Sequence, residues 1–397
     1  MRTLHFTTLL FLLAGECLVH ALTVTPVVTL QDVTALRAQN NYYSSGYAAV
    51  MILSSQYAGE KAGGLFVAQG KTGQADDGGV YIVDAASVVW ERSFSGPVSV
   101  LWYGADPTGA TASTTAFNQT INYAMANNAD VVVPSGHYVL DQGLQLPSKI
   151  SMNGEGAVTL DFAQLMTGAA ITIGEVDSYY YNAGFPLVDI FQQGKLSNML
   201  IIGGNVTTGI FLNGQSTTEQ YATPFYTLEK LDIKFFNIGV MIGQQTWLNG
   251  LFSCAIQQYS RYGLYISNAA NEGEDISIYN SAIFNANNAN AIGAYIARGS
   301  SISGDVNFYG TSFDYNGGPG LVVASGQARF FGCHFEGDLS VSVESKGYAE
   351  FFGCWFRMDY GFDITGGQTN FFGGYLPTTN TMNVTSGTTV NIVDRQT

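Results

Sequence analysis

The chain has 397 residues, of which 30 are acidic and 15 basic, giving a formal net charge of −15. An acidic surface repels phosphate groups, so this balance argues against nucleic acid and anionic lipid as partners. Only 11% of the residues are charged, whereas 47 are Gly, 25 Phe and 23 Tyr, a composition that argues against disorder and favours short strands joined by tight turns.

A cleavable secretion signal is predicted for residues 1–21. Arg2 precedes the apolar residues 9–13, and the segment ends in Val19-His20-Ala21, with small side chains at the positions that signal peptidase requires. No later stretch holds about 18 consecutive apolar residues, so the sequence predicts no membrane span. The mature protein is therefore expected outside the cell.

Three cysteines remain once the leader is removed: Cys254, Cys333 and Cys354. An odd number argues against a disulfide framework, and neither a Cys-x-x-Cys pair nor a suitably spaced His indicates zinc. We therefore expect no metal site and no cofactor, and we interpret the cysteines as buried thiols.

Residues 22–97 are predicted to form a small β-rich module. Residues 33–39 have the length of one or two helical turns, and Gly-rich turns at 70–73 and 76–79 alternate with β-forming segments. Asp76 and Asp77 look like a catalytic carboxylate pair, but the two glycines that follow them favour a turn.

Residues 98–397 are predicted to form a second unit that begins with a helix. Ser113 or Thr114 supplies an N-terminal cap, and Ile121, Ala124 and Met125 have helical spacing. Such a helix would cover the open end of a repetitive β-structure, where unpaired strand edges are otherwise exposed.

The C-terminal third of the chain repeats one pattern four times, at 307–313, 329–335, 350–356 and 370–376. The glycines at the centre of these segments are 20 to 22 residues apart. Weaker copies precede them, with Asn280 and Ser253 in the Gly position and a still earlier copy at 234–237.

This period, with β-forming residues on both sides of a bend, describes one coil of a β-solenoid. Stacked coils pair in parallel about 4.8 Å apart, so equivalent residues form columns along the axis. Three inward columns are predicted: Phe308, Phe330, Phe351 and Phe371; Thr311, Cys333 and Cys354; and Phe313, Phe335 and Phe356.

Three further segments carry a family resemblance: residues 102–117, the strand and turn at 133–138, and Gly154-Glu155-Gly156. They resemble the opening motifs of the pectate-lyase-like β-helix superfamily, which includes rhamnogalacturonase-type and phage tailspike-type proteins. One departure is Ala112, where that pattern usually has Asp. The resemblance covers roughly residues 98–390 and is specific for fold but weak for reaction.

The resemblance implies an all-β, single-stranded, right-handed parallel β-helix with an N-terminal capping helix. It also implies an attachment or capping role for residues 22–97, and a homotrimer. The Asn-Thr-Asp, Asp-Asp, Gly-His-Gly and Arg-Ile-Lys set of polygalacturonases is missing from the sequence, as is an evident Asp-rich calcium cluster like that of pectate lyases. Neither named activity is therefore transferred.

Asp314, Glu336 and Arg357 follow the second inward column, one on each successive coil. Two stacked carboxylates can hydrolyse a glycosidic bond, one as acid and the other as base or nucleophile. The competing interpretation is an exposed ion ladder in which Arg357 balances Glu336.

Another acidic column is predicted from Asp232, Asp275 and Asp305, with Leu248 interrupting it. Asp275 and Asp305 are expected on neighbouring coils, as a catalytic pair or a cation site, although Asp at the start of a strand is more often a turn residue.

Two outward aromatic columns are predicted. One holds His334, Trp355 and Tyr375, preceded by Ser312; the other holds Tyr309, Phe331, Phe352 and Phe372. Exposed aromatic rows stack on sugar rings or lie between subunits, and an interface is slightly favoured. His334 is interpreted as a ladder residue that contacts substrate rather than as a strong base.

These observations favour a secreted hydrolase that cuts an extracellular or bacterial surface polysaccharide. Its predicted catalytic residues are Asp314, Glu336, Asp275 and Asp305, and its predicted substrate contacts are Arg357, His334, Trp355, Tyr375 and Arg329. One alternative is a lyase acting on a uronic-acid polymer with Arg329 or Arg357 as base; another is a non-catalytic, tailspike-like or adhesive glycan-binding module, located on a virion tail if the gene is a phage gene.

Overall fold

The computed structural model of the chain describes residues 27–54, 62–174, 193–214, 223–266, 275–298, 305–337, 340–357, 361–376 and 381–393. The predicted secretion signal at 1–21 lies outside these residues. Among them, no helix combines the length and the apolar character of a membrane span.

A small five-stranded sheet forms the N-terminal part, with strand order β1-β2-β3-β5-β4. Its elements are β1 Val27–Leu30, α1 Val33–Arg37, β2 Ala49–Ile52, β3 Gly64–Gly70, β4 Tyr81–Val83 and β5 Val89–Ser93. Leu36, Phe66 and Trp90 are the centre of its core. The turn interpretation of Asp76 and Asp77 is confirmed, because both carboxylates accept backbone N–H groups of residues 78–83.

A right-handed parallel β-helix forms the described residues that follow, which confirms the predicted fold class. Its first elements are β6 Val98–Ser99, a 3₁₀ turn Val100–Tyr103, α2 Thr114–Asn127, β7 Val131–Val139, β8 Leu144–Leu146, β9 Met152–Phe162 and β10 Ala169–Ile173. The predicted helix is α2, whose buried residues Phe117, Ile121 and Ala124 pack into the core of the β-helix.

The first turn of the β-helix is held by a buried carboxylate. Asp106 accepts hydrogen bonds from the backbone N–H and the hydroxyl groups of both Thr108 and Thr111, at 2.6–2.9 Å. Burial alone would raise the pKa of Asp106, but these hydrogen bonds outweigh it and lower the pKa to about 2.

The central coils contain short strands. They are β11 Lys195–Gly203, β12 Thr208–Leu212, β13 Thr223–Pro224, β14 Thr227–Lys234, β15 Ile238–Ile242, β16 Thr246–Trp247, β17 Gly250–Phe252, β18 Ala255–Gln257 and β19 Tyr262–Ile266.

The last coils repeat the same plan. Their strands are β20 Ile276–Tyr279, β21 Ala282–Phe284, β22 Ile292–Ala297, β23 Asp305–Tyr309, β24 Ser312–Asp314, β25 Leu321–Phe331, β26 His334–Glu336, β27 Ser340–Phe352, β28 Trp355–Arg357, β29 Gly361–Ile364, β30 Gln368–Phe372, β31 Thr381–Val384 and β32 Thr389–Val393.

Three faces result from parallel pairing of each strand with its equivalent one coil away. Face A contains β17, β20, β23, β30 and the second halves of β25 and β27. Face B contains β18, β21, β24, β26 and β28. Face C contains β19, β22, β29 and the first halves of β25 and β27.

The bend between faces A and B falls on a residue with positive φ in every one of these coils. The aligned residues are Lys230, Ser253, Asn280, Gly310, Gly332, Gly353 and Gly373. The Asn280 and Ser253 copies of the repeat are therefore confirmed. The copy predicted at 234–237 is wrong, because Glu229 pairs with Phe252 and so places this bend at Lys230. Phe235, also at positive φ, belongs to the next bend of that coil.

The predicted inward columns are confirmed. Phe308, Phe330, Phe351 and Phe371 stack along the axis with ring centroids 4.8–5.1 Å apart. Phe313, Phe335 and Phe356 form a second stack at 4.7–5.0 Å. Cys254, Cys333 and Cys354 are free and buried, and burial raises the pKa of Cys254 to about 11.

Candidate functional site

Face B has a pattern that fixes which side chains reach solvent. Each of β24, β26 and β28 is three residues long, with Phe313, Phe335 or Phe356 buried in the middle. Because side chains of a strand alternate, the residues on either side of each Phe point outward.

Two outward columns follow from the pairing register. One runs through Ser312, His334, Trp355 and Tyr375, and the other through Asp314, Glu336 and Arg357. Both columns were predicted from the repeat, and both are confirmed.

An imidazole lies between two carboxylates on this face. His334 Nδ1 is 3.3 Å from Asp314 Oδ1, and His334 Nε2 is 3.7 Å from Glu336 Oε2. The Ser312 hydroxyl donates to Asp314 Oδ2 at 2.5 Å. One oxygen of Asp314, one oxygen of Glu336 and one ring nitrogen of His334 lie within 4.8 Å of one another. These three residues could therefore hold a cation or act together on one substrate bond.

Glu336 has two further neighbours. The Tyr315 hydroxyl donates to Glu336 Oε1 at 3.3 Å, and Arg357 Nη1 donates to the same oxygen at 3.4 Å. The negative charge of Glu336 raises the pKa of Tyr315. The Arg357 side chain is 71% exposed, so its ion pair with Glu336 is loose and solvent-screened.

Tyr315 was not predicted as a site residue. It occupies the bend after β24 with φ of 54°, where the next coil has Gly337. The only signal for it in the sequence is its position directly after Asp314.

The two aromatic columns differ in what they show to solvent. Trp355 is 51% exposed and Tyr375 41%, and Trp355 meets His334 and Tyr375 edge to face. Tyr309, Phe331, Phe352 and Phe372 instead stack with centroids 4.7–4.9 Å apart and planes within 9° of parallel. Stacked rings cover each other's faces, so this second column offers mainly ring edges. Trp355 and Tyr375 are thus the better platform for a sugar ring.

The predicted residues Asp305 and Arg329 lie on face A, across the bend from Asp314. Arg329 Nη1 contacts Asp305 Oδ2, and Arg329 Nε donates to Glu350 Oε2 at 2.9 Å. Tyr348 donates to Glu350 at 2.8 Å. Partial burial alone would raise the pKa of Glu350, but these hydrogen bonds lower it. This group is a closed ion ladder.

The predicted column of Asp232, Asp275 and Asp305 is wrong in one member. Ile276 pairs with Val306, which places Asp275 next to Asp305 along the axis. Asp232 pairs with Ala255 and therefore belongs to face B, in the column of Ser312 and His334. The error follows from the misplaced bend at 234–237. Asp275 is exposed, at a turn with φ of 51°.

The structure therefore divides the predicted catalytic residues between two faces. Asp314 and Glu336 come together with His334, Trp355, Tyr375 and Arg357, whereas Asp275, Asp305 and Arg329 lie on face A.

Residues 97–292 match the profile of the family described as rhamnogalacturonase A/epimerase, pectate lyase-like. The match ends before β23, so the face B cluster lies outside it. No curated protein matches the chain in sequence.

Several solved structures share the fold. The enzymatically active domain of tailspike protein 4 from bacteriophage CBA120 is 15% identical, with a TM-score of 0.59 over 93% of this chain and 48% of that one. The tailspike protein of Acinetobacter baumannii phage AM24 is 14% identical, with a TM-score of 0.60 over 92% of this chain and 65% of that one.

A third structure is a tailspike protein of Acinetobacter baumannii bacteriophage Fri1, described as a capsular polysaccharide depolymerase. It is 13% identical, with a TM-score of 0.62 over 93% of this chain and 76% of that one. The chain thus spans about half to three quarters of the length of these tailspikes, and at such identities the likeness is one of fold.

Proposed function

We propose that this chain, which has the pectate-lyase-like right-handed β-helix fold, hydrolyses glycosidic bonds of a polysaccharide at the face B cluster of Asp314, His334 and Glu336. The observation that carries the proposal is the pair of carboxylates beside the exposed Trp355 on adjacent coils. Polysaccharide cleavage by the Fri1 tailspike, on the same fold, supports it.

The two carboxylates have distinguishable roles. In the proposed division, Asp314, whose Oδ2 accepts the Ser312 hydroxyl, is the nucleophile and Glu336 is the general acid. Glu336 would donate its proton to the leaving oxygen while an Asp314 oxygen bonds to the anomeric carbon. Glu336 would then take a proton from water, which attacks that carbon and releases Asp314. His334, between them, would position both carboxylates.

The carboxylate spacing favours retention of anomeric configuration. Retaining glycosidases hold their two carboxyl groups about 5–5.5 Å apart and inverting enzymes about 6.5–9.5 Å. The nearest Asp314 and Glu336 oxygens are within 4.8 Å, which leaves little room for a water between them. The first product released should therefore keep the substrate's anomeric configuration, as NMR of fresh digests would show.

The surroundings of Arg329 and Arg357, the two candidate bases of a lyase, favour hydrolysis over a lyase reaction. Partial burial would lower the pKa of Arg329, but hydrogen bonds to Glu350 and Asp305 raise it above the ordinary value, which opposes a role as base. Arg357 is paired with Glu336. Arg329 is therefore closed off by its partners, whereas Arg357 is exposed, pairs only loosely with Glu336 and stays available to contact substrate.

The test is digestion of a panel of neutral and uronate-containing bacterial polysaccharides, with reducing ends and unsaturated uronates assayed together. Reducing ends without unsaturated products, lost in Glu336→Gln but kept in Asp232→Asn, would support hydrolysis. Unsaturated products would indicate a lyase. Tight binding without cleavage would indicate an adhesive module at Trp355 and Tyr375.

The proposal extends to processing, assembly and location. Residues 1–21 would be removed, residues 22–97 would form an attachment module and residues 98–397 the β-helix, in a homotrimer that is secreted or, if phage-encoded, part of a virion tail. The tailspike neighbours support the trimer and the virion tail, whereas the leader and the attachment module rest on the sequence. N-terminal sequencing of the exported protein and light scattering would test it.

A further inference from the structure

We propose that Asp314, His334 and Glu336 also bind one divalent transition-metal ion, with Zn²⁺ as the best match, and that the bound ion blocks hydrolysis. The second half rests on the proposed function; the first does not. Short-range sequence motifs give no sign of this site, because its ligands come from two coils.

The ligand set is near the geometry that zinc requires. Zinc bonds to imidazole nitrogen and carboxylate oxygen are about 2.0–2.2 Å long, which puts tetrahedral ligand atoms roughly 3.3–3.6 Å apart. The three candidate ligand atoms are within 4.8 Å of one another, and the 3.3 Å between His334 Nδ1 and Asp314 Oδ1 already matches that spacing. Glu336 Oε2, now 3.7 Å from the other ring nitrogen, would turn toward the ion. Strand pairing fixes the backbones, so small side-chain rotations would close the site.

A second observation points to a missing ligand. Asp314 Oδ1 is buried and has no hydrogen-bond partner, although it faces the imidazole. A buried carboxylate oxygen without a hydrogen bond destabilises a fold unless a proton or a cation satisfies it. A metal ion shared with His334 would do so.

The surrounding groups leave one oxygen of each carboxylate available, while the Ser312 hydroxyl also lies 3.4 Å from His334 Nδ1. Ser312 holds Asp314 Oδ2, while Tyr315 and Arg357 hold Glu336 Oε1, so Asp314 Oδ1 and Glu336 Oε2 face the imidazole. Such partners orient ligands in metal sites. One imidazole with two carboxylates suits Zn²⁺, Co²⁺ or Mn²⁺, whereas Mg²⁺ and Ca²⁺ prefer oxygen ligands alone.

Metal binding and hydrolysis would compete for the same atoms. A carboxylate coordinated to a metal ion neither carries a proton to a leaving group nor attacks a sugar carbon freely. The ion would therefore inhibit the enzyme rather than assist it.

The first experiment titrates the full chain with Zn²⁺ alone by calorimetry and with Co²⁺ alone by visible absorption. We expect one site per chain and a Co²⁺ spectrum of low coordination number. His334→Gln should weaken binding by at least about 10-fold, the scale of perturbing a metal site. His137→Gln is the matched control, because exposed His137 pairs with Asp161 at 2.9 Å and forms no three-ligand group with described neighbours.

The site is refuted if Zn²⁺ does not bind at millimolar concentration, or if His334→Gln binds it as tightly as the parent. Circular dichroism of each variant would confirm that the fold is kept.

A second experiment adds Zn²⁺ to the cleavage assay and then a chelator. Reversible loss of cleavage supports competition. Full cleavage at saturating Zn²⁺ overturns the inhibition and leaves the metal site standing. Absence of cleavage in every condition refutes the proposed hydrolysis, and the calorimetric result then decides the metal site separately.

Discussion

Face B carries the same two outward columns from its early coils to its late ones, yet the two ends hold different chemistry. In the early part, Asp232 accepts from Gln257 at 2.7 Å and lies 3.8 Å from Lys234, with Ala255 and Ala282 following in its column. In the late part, Asp314 and Glu336 both contact His334, and exposed Arg357 contacts Glu336. Backbone and register are the same, so the outward residues, and not the fold, distinguish a site from a surface.

The cores of the late coils are expected to give the largest mutational effect. Phe330→Ala should destabilise the protein by about 3–5 kcal/mol, because Phe330 is fully buried between Phe308 and Phe351. Phe331→Ala, one residue along and outward, should cost only about 0.2–1 kcal/mol through lost cross-strand pairing. Denaturant unfolding of both variants measures the difference, and equal losses would contradict the assigned orientation.

Substitution of a carboxylate is expected to have the second-largest effect, and the effect on kcat should differ between the two ends of face B. Glu336→Gln should lower kcat by about 10²–10⁴-fold, since it removes the general acid. Asp232→Asn, in the early coils, should leave kcat unchanged. Steady-state cleavage assays test both, and comparable losses in the two variants would move the site to the early coils.

Removal of a ring from the aromatic platform of Trp355 and Tyr375 should have a smaller effect, on KM. Trp355→Ala is expected to raise KM by about 10-fold, the loss of roughly 1.4 kcal/mol of ring stacking. Tyr279→Ala, which removes a ring stacked between Phe252 and Tyr309, should leave KM within about 2-fold, since a factor of two is worth only a few tenths of a kcal/mol. If the Tyr279 variant binds glycan more weakly than the Trp355 variant, face A is the binding face.

Substitutions that remove a surface charge should have the smallest effects. Arg357→Gln and Lys234→Gln should each change the free energy of unfolding by less than about 1 kcal/mol, because both ion pairs are solvent-screened. Only Arg357→Gln should alter KM. Thermal unfolding and cleavage assays at two salt concentrations measure both effects, and a KM change in Lys234→Gln would extend the site toward the early coils.

The columns of the late coils could be predicted from the sequence because Gly marks the bends there. Gly310, Gly332 and Gly353 fix the register, so Asp314, Glu336 and Arg357 fall into one column by counting. Earlier bends use Lys230 and Phe235, which have positive φ without any sequence signal, and Asp232 was misplaced for that reason.

Pairing between side chains was less predictable than their positions. The sequence leaves Arg329 as a candidate base, whereas in the structure it pairs with both Asp305 and Glu350. His334 had no metal-ligand spacing along the chain, because Asp314 reaches it from the preceding coil. Ring orientation, which separates Trp355 from the parallel Phe stacks, depends on rotamers that column counting does not determine.

The parallel aromatic rings of face A have an optical consequence. From Phe252 through Tyr279 and Tyr309 to Phe372, each ring lies 4.6–4.9 Å from the next with nearly parallel planes. Chromophores this close couple their electronic transitions, so the near-ultraviolet circular dichroism of the protein should report the alignment of successive coils. A chain whose coils have slipped would keep its far-ultraviolet β spectrum and lose the coupled band, as loosely packed states do.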